Sequence, residues 1–369
     1  MTEEENKSEL RAAVVSLGST SSLMVIESMK KYFGVVDNIQ VKNIEVKLGK
    51  EGGVFYEGEP LKKYDCLYLK GSFRYANILR AMATILEGKV PYMPFAPATF
   101  TIVHNKLLTH LSLQQHNISM PRTYLPSTIE AAKDVLTKVN YPIVMKFPEG
   151  TQGKGVMFAD SLSSASSMLD ALVALRQPFI IQEYVETGGS DLRALVVGGR
   201  VVASMKRKAQ RDEKRANIHA GGSGEFVELD RVARKLAVDT AKALNADICG
   251  VDILESPLGP VVIEANVSPG LQGLSEVSEI NVADEIARFL FNQTNDIVRK
   301  QTDINKKETM KDLFEEDNNS EEIIISLNFR GERILLPELV TKMTKFDEDK
   351  EYTIKAKKGK LIIEEFVVG

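Results

Sequence analysis

Two short apolar segments carry polar groups where a folding chain can least accommodate them, and this constrains the chain more than any other feature. "ICGVDILES" puts Asp252 in a run of valine, isoleucine and leucine. "GPVVIEANVSPG" puts Glu264 and Asn266 two residues apart on a strand-like run that stops at a Ser-Pro-Gly turn. Side chains at i and i+2 of a strand share one face, so Glu264 and Asn266 project together. If the two segments pair, Asp252 can join them. An isolated buried carboxylate is expensive, so something must neutralise it. Three oxygen ligands without histidine or cysteine suit a hard cation, Mg²⁺ or Mn²⁺, which normally bridges carboxylates and substrate phosphates. The plainer alternative is a pair of edge strands whose polar residues face water, and the two segments alone leave both open.

The rest of the chain supplies a context. At 369 residues it is too long for one core, so two or three domains are expected. Strand-like and helix-like periodicities alternate over residues 11–100, from "AAVVSLGST" to "YANILRAMATILEGK", which predicts an open α/β domain. Its first turn, "LGSTSS", lacks the G-x-G-x-x-G pattern of a dinucleotide site. A second unit over 101–187 holds the helix "HNKLLTHLSLQQHNI", a capped helix "TIEAAKDVLTKV" and the strands "YPIVMKF" and "PFIIQEYVE". A third, over 188–296, opens on two strands around Gly198-Gly199 and closes on the helix "NVADEIARFLFNQ". Residues 297–320 are polar and read as a linker, with partial helix as the alternative, and 321–369 is strand-rich.

Glycines follow the strand "IVMKF" in "EGTQGKGV". This is not a P-loop, since G-x-x-x-x-G-K-[ST] is absent. Gly153 and Gly155 still allow backbone N–H groups to approach phosphate oxygens, Thr151 and Lys154 add donors, and Lys146 sits on the strand before them. A plain turn is the competing interpretation.

Taken in order, "NKLLTHLSLQQHNISMPRTY", "YPIVMKFPEGTQGKGV", "IIQEYVETGGSDLRALVVGGRVVASMKR", "RANIHAGG", "ICGVDILES" and "VIEANVSPGLQG" resemble the RimK-type branch of the ATP-grasp ligases, which includes α-L-glutamate ligases. The resemblance is close over roughly residues 80–293 and loose before that. It implies an α/β ATP-grasp fold: a pre-ATP-grasp domain at 11–100, a small subdomain at 101–187 and a large, metal-binding subdomain at 188–296. It further implies ATP and Mg²⁺ or Mn²⁺, two ions expected, with Asp252, Glu264 and Asn266 as metal ligands. Lys106 and Lys146 would meet the nucleotide phosphates. Glu183, Tyr184 and Val185 would flank the adenine, and Asp191 would make a polar contact to the nucleotide. Arg207 would face the γ-phosphate, and Arg215, Ala216 and Asn217 would lie beside the triphosphate. The expected activity is an ADP-forming carboxylate–amine ligation through an acyl phosphate, adding L-glutamate to a cofactor or protein carboxylate. The alternatives are an amino-group-carrier-protein ligase of lysine or arginine biosynthesis, and a nucleotide-sensing DNA-binding or scaffold protein. Arg193 would hold a substrate carboxylate or simply pair with a neighbouring acid, and Ser268 and Gly270 would bind an amino-acid carboxylate or merely form a turn. One departure stands out: Ala220 occupies the place before Gly-Gly where the branch usually has a basic residue, with Lys208 or Arg211 as substitutes. His104, His110 and His116, six residues apart, share no helical face and read as structural.

The stretch from "IIISLNFRGERILLPELV" to "KEYTIKAKKGKLIIEE" resembles the swapped-hairpin domain of AbrB and MazE type. Chains of that family interleave, which implies a homo-oligomer; acids and bases nearly balance here, so DNA is the less favoured partner. Bulk properties predict a reduced, soluble, cytoplasmic protein. The formal net charge is −4, the two cysteines have no CxxC spacing, and "MTEEENKSEL" lacks signal-peptide character. No apolar run approaches the roughly 18 residues of a membrane span.

Overall fold

The computed structural model describes residues 8–150, 155–208, 223–315, 328–331, 333–347 and 349–366. They form two units, 1–304 and 305–369. The first begins with β1 (Ser8–Ser16), α1 (Thr20–Met29), β2 (Phe33–Gln40), β3 (Ile44–Lys47), β4 (Gly53–Tyr56), β5 (Glu59–Pro60), β6 (Cys66–Leu69) and α2 (Ala76–Leu86). β1 is central, pairing in parallel with β2 on one side and β6 on the other. Its second half, Ala12–Val15, is fully buried, as expected for a parallel strand covered on both faces.

Two short helices follow, α3 (Thr99–Val103) and α4 (Lys106–Gln115). Next come β7 (Thr123–Tyr124), α5 (Ile129–Lys138), β8 (Ile143–Lys146), β9 (Val156–Ala159), α6 (Leu162–Ala174) and β10 (Ile180–Glu183). Their four strands form an antiparallel sheet ordered β7-β10-β8-β9, whose small core lies against α5 and α6 and includes Leu136, Ile143, Met145, Leu169 and Ile181. As the sequence suggests, Thr128 caps α5, accepting from the Ala131 N–H at 3.1 Å.

The third group comprises β11 (Ser190–Val197), β12 (Arg200–Lys208), β13 (Ser223–Phe226), α7 (Arg231–Ala243), β14 (Ile248–Ser256), β15 (Gly259–Asn266), α8 (Gln272–Val277) and α9 (Val282–Glu315). Its antiparallel sheet runs β13-β12-β11-β14-β15. One face is covered by α7, where Ala233, Ala237 and Ala241 recur every four residues and let the helix approach closely.

Two sequence expectations need correction. Residues 101–118 do not belong to the small subdomain's core: Val103, Leu113 and Ile118 pack in the large cluster shared by β1, β6 and the five-stranded sheet. The interval 297–320 is not a linker throughout, since α9 continues to Glu315 and the division between units falls inside it.

The second unit contains β16 (Asn328–Arg330), β17 (Arg333–Leu335), α10 (Glu338–Thr344), β18 (Tyr352–Lys357) and β19 (Lys360–Glu365). β16 pairs with β17 and β18 with β19, each an antiparallel two-stranded ribbon. No helix among the described residues is long and apolar enough to cross a membrane.

Candidate active site

The register of the five-stranded sheet collects the acids and bases. Asp191 of β11 lies opposite Arg207 of β12, and Arg193 opposite Asp252 of β14. Asp252 in turn lies opposite Glu264 of β15, and Gly250 opposite Asn266. Directly opposed residues and their i±2 neighbours share a face, so these six side chains lie on the face away from α7. The paired-strand geometry inferred for Asp252, Glu264 and Asn266 is therefore present. A one-residue bulge beside Asp252 leaves Ile263 as the extra residue of β15.

Four of the five charges among these six side chains neutralise one another. Arg207 donates two hydrogen bonds to Asp191, at 2.6 and 2.7 Å, and reaches Asp252 Oδ2 at 2.8 Å. Arg193 donates two to Asp252, at 2.8 and 2.7 Å. Arg207 is 2% exposed and Asp252 4%. Such pairs persist in a dry interior only when hydrogen bonding is nearly complete, and two bidentate arginines meet that condition. Burial opposes ionisation of Asp252, but Arg193 and Arg207 override it and hold the carboxyl well below its usual range. Asp191 is raised to about 6, by burial and then by the Asp252 charge, against the pull of Arg207. The ion-pair interpretation of Arg193 is thus what the structure contains.

Glu264 differs: it makes no hydrogen bond or ion pair among the described residues. It stands where two cavities meet, a slot of about 140 Å³ and a larger cleft of about 530 Å³, which also share Lys106, Asp252 and Ile263. The slot lies between the two antiparallel sheets. Val144, Val156 and Phe158 line one wall and Leu254 and Ile263 the other, with Tyr184 and Val185 at its rim. The N–H groups of Glu183 and Tyr184 donate to the carbonyls of Arg122 and Pro142. That leaves the Val185 N–H without an acceptor among the described residues. The Glu183 carboxylate is held by Tyr124 Oη at 2.8 Å.

Two lysines mark the slot's polar end. Lys106 opens α4 and donates to the Gly150 carbonyl at 3.0 Å. Lys146 ends β8 and donates to Gln182 Oε1 at 2.5 Å. Burial pushes the Lys146 ammonium down to about 8, Glu264 opposing and Lys106 adding to the shift. Gln182 is in turn fixed, its amide nitrogen lying 2.9 Å from both His110 Nε2 and Thr123 Oγ1. His110 Nδ1 lies 2.6 Å from the Lys106 carbonyl, so the neutral ring donates there and accepts from Gln182. Burial lowers the His110 pKa to about 4, which keeps the ring neutral. His110 is structural as expected, in the specific sense that it orients the group holding Lys146. Gln182 was not singled out from the sequence; its signal is a polar residue inside the buried "IIQE" strand.

The expected site residues fall in three groups. Lys146, Glu183, Tyr184, Val185 and Asp191 line the slot. Arg193, Arg207, Asn266, Ser268 and Gly270 line the cleft. Lys106, Asp252 and Glu264 line both. Gly155 has a structural reason to be glycine: its φ is +77°, and a Cβ would meet Phe147 Cδ2 at 2.4 Å. Lys208, offered as a substitute base, instead pairs at the surface with Glu225 at 2.9 Å. Thr151, Gly153, Lys154, Arg211, Arg215, Ala216, Asn217, His219 and Ala220 lie outside the described residues.

The donor set fits a hard divalent cation. Asp252 and Glu264 are cross-strand neighbours, Glu264 is uncommitted, and Asn266 adds an amide oxygen that also accepts from the Ser268 N–H at 2.8 Å. No cluster of three or more histidine, cysteine, aspartate or glutamate side chains able to hold a metal occurs among the described residues, so the amide would be part of any such set.

Comparison with known proteins now adds a frame. The family model of the RimK-like ATP-grasp domain matches residues 103–290. Two relatives from Pseudoalteromonas atlantica are called probable alpha-L-glutamate ligases 1 and 2. The first is 37% identical over 242 residues, covering 65% of this chain and 80% of the relative. The second is 44% identical over 239 residues, covering 64% and 79%. Among solved structures, the ATP-grasp ligase PsnB complexed with minimal precursor, Mg and ADP superposes with a TM-score of 0.61 at 17% identity, over 79% of this chain and all of that one.

Proposed function

The chain belongs to the RimK-like ATP-grasp family and is an ATP-grasp ligase; from there we propose that it joins the amino group of L-glutamate to a carboxylate of a cofactor or protein acceptor, with ATP converted to ADP and phosphate. The observation that carries this reading is Glu264, an uncommitted carboxylate at the junction of slot and cleft. A nucleotide in the slot and acids in the cleft would meet there.

The acceptor carboxylate would attack the terminal phosphorus of ATP, and the bond to ADP would break to leave an acyl phosphate. The amine would then attack the acyl carbon, phosphate would depart with the bonding pair, and the nitrogen would lose a proton. Lys106 and Lys146 would hold the phosphates at the slot's end. Asp252, Glu264 and Asn266 would hold Mg²⁺, whose charge offsets the repulsion between anionic reactants. The Asp191–Arg207–Asp252–Arg193 network would keep Asp252 ionised and fixed while presenting guanidinium edges to the cleft. Val144, Val156 and Phe158 would give the base an apolar wall, and the Val185 N–H would be a donor for its edge.

The test is ADP release with ATP, Mg²⁺, L-glutamate and a panel of carboxylate acceptors that includes small carrier proteins. A mass gain of one glutamyl residue would identify the acceptor and separate the carrier-protein alternative. Glu264→Ala should lower metal-dependent turnover by about 100-fold or more while leaving the unfolding transition in place. Turnover that survives this change would count against the assignment.

For the second unit we propose self-association. Two separate two-stranded ribbons bury little on their own. Phe329, Ile334, Leu335, Ile354 and Leu361 are all exposed, and a second copy of the same segment is the partner this apolar, charge-balanced surface fits.

A further inference from the structure

The large cleft contains a cation that the ligation chemistry above does not use. Lys70 directly follows β6, and its N–H donates to the Val15 carbonyl at 2.7 Å, which seats it beside the β1–α1 turn. The residue is 2% exposed, yet it lines the cleft. Its ammonium has no hydrogen-bond acceptor among the described residues. The ammonium lies 5.3 Å from the centroid of the Tyr68 ring.

A buried, unpaired ammonium destabilises a fold by several kcal/mol. The other cations of the cleft are all engaged: Lys106 by Gly150, Arg193 by Asp252, and Arg207 by both aspartates. Lys70 alone among the described lining cations has no acceptor. Around it the cleft wall offers hydroxyl donors, and the acids that line the cleft, Asp252, Glu264 and Glu276 of α8, make no hydrogen bond to the Lys70 ammonium. Ser16, Ser19 and Ser72 line the cleft, and the ten-residue α1 points its N-terminus there with no acidic residue in the first turn. Ser21 ties this wall to the turn after β15, accepting from the Leu271 N–H at 2.9 Å and donating to Gln272 Oε1 at 2.6 Å.

We infer that Lys70, with the serine hydroxyls of the β1–α1 turn and the N-terminus of α1, forms a subsite for a carboxylate of the substrate that does not react. This rests on the ligase reading for the identity of the bound acid. Burial lowers the Lys70 pKa only to about 8, so the ammonium remains mostly charged at neutral pH. The subsite therefore favours an acid carrying a second carboxylate, contributed by the amino acid or by the end of the acceptor.

Binding to the full chain distinguishes the sources without turnover. Calorimetry would use L-glutamate, L-glutamine and a tripeptide ending in glutamate. If the amino acid's side-chain carboxylate fills the subsite, glutamate binds at least tenfold more tightly than glutamine and Lys70→Met removes that preference; if its α-carboxylate does, both lose at least tenfold affinity in Lys70→Met. If the acceptor end fills it, the tripeptide loses at least tenfold affinity in Lys70→Met while glutamate is unaffected. Ser19→Asp keeps the helix cap and places a negative charge in the subsite, so it should weaken the same ligand. Lys70→Met should also raise the melting temperature of the free chain, because it removes an unpaired buried charge. Equal affinities in wild type and Lys70→Met, or no binding of any probe, would overturn the inference. ADP release persisting in that case would leave the ligase reading standing. Carboxylate binding at Lys70 with no ADP release from any acceptor would have the opposite meaning.

Discussion

Gln182 decides where the Lys146 ammonium points. Its amide nitrogen faces His110 and Thr123, so its oxygen faces Lys146. The lysine is thus aimed before any anion arrives, which lowers the cost of ordering it on binding. Its depressed pKa makes this testable. A lysine near 8 is largely neutral at pH 8.5, and a bound polyphosphate stabilises the charged form, so ADP binding there takes up a proton and affinity falls as pH rises past 8. Calorimetry of ADP binding without added metal, in two buffers of different ionisation enthalpy at pH 8.5, should show net proton uptake. Lys146→Met should show markedly less uptake, and equal uptake in both proteins would refute the assignment. Lys146, Asp252 and Glu264 were all legible in the sequence because charged residues within apolar strands are conspicuous. Gln182 and Lys70 were not. A glutamine between isoleucine and glutamate, or a lysine closing a strand, is ordinary until burial is known, and burial depends on distant segments.

At the level of elements, one sheet face lines the slot and the cleft and the other packs. β11, β12, β14 and β15 carry charge toward the cleft and apolar residues toward α7, whose alanine spine sets the spacing. Ala237 is fully buried in that contact. Ala237→Leu should lower stability by about 1–3 kcal/mol through overpacking, read as a fall in the urea midpoint with unchanged slope. An unaffected midpoint would mean the helix has room to retreat. The strands of this sheet were readable because alternation and a Gly-Gly turn mark them. The end of α9 was not, because polar helix formers without an apolar stripe resemble a connector, and only propensity separates the two.

For the whole molecule, the division after residue 304 separates a catalytic unit from a small one with its own ribbons. Removing residues from 321 onward should lower the mass measured by light scattering while leaving ADP affinity within about twofold, since the described slot residues lie between 106 and 264. A mass that falls only by the deleted segment would end the self-association reading. The ATP-grasp architecture was legible from the order of motifs. The shared core of the first and third regions was not, because pairing across more than a hundred residues leaves no local trace. That shared core and the Ser21 bridge carry an evolutionary consequence. A recombination event that grafted a new leading region onto this ligase would orphan Leu271 and Gln272 unless the segment following β15 travelled with it. New substrate preferences in this lineage should therefore arise by linked changes in the β1–α1 turn and in the segment following β15, and not by exchange of one of them alone.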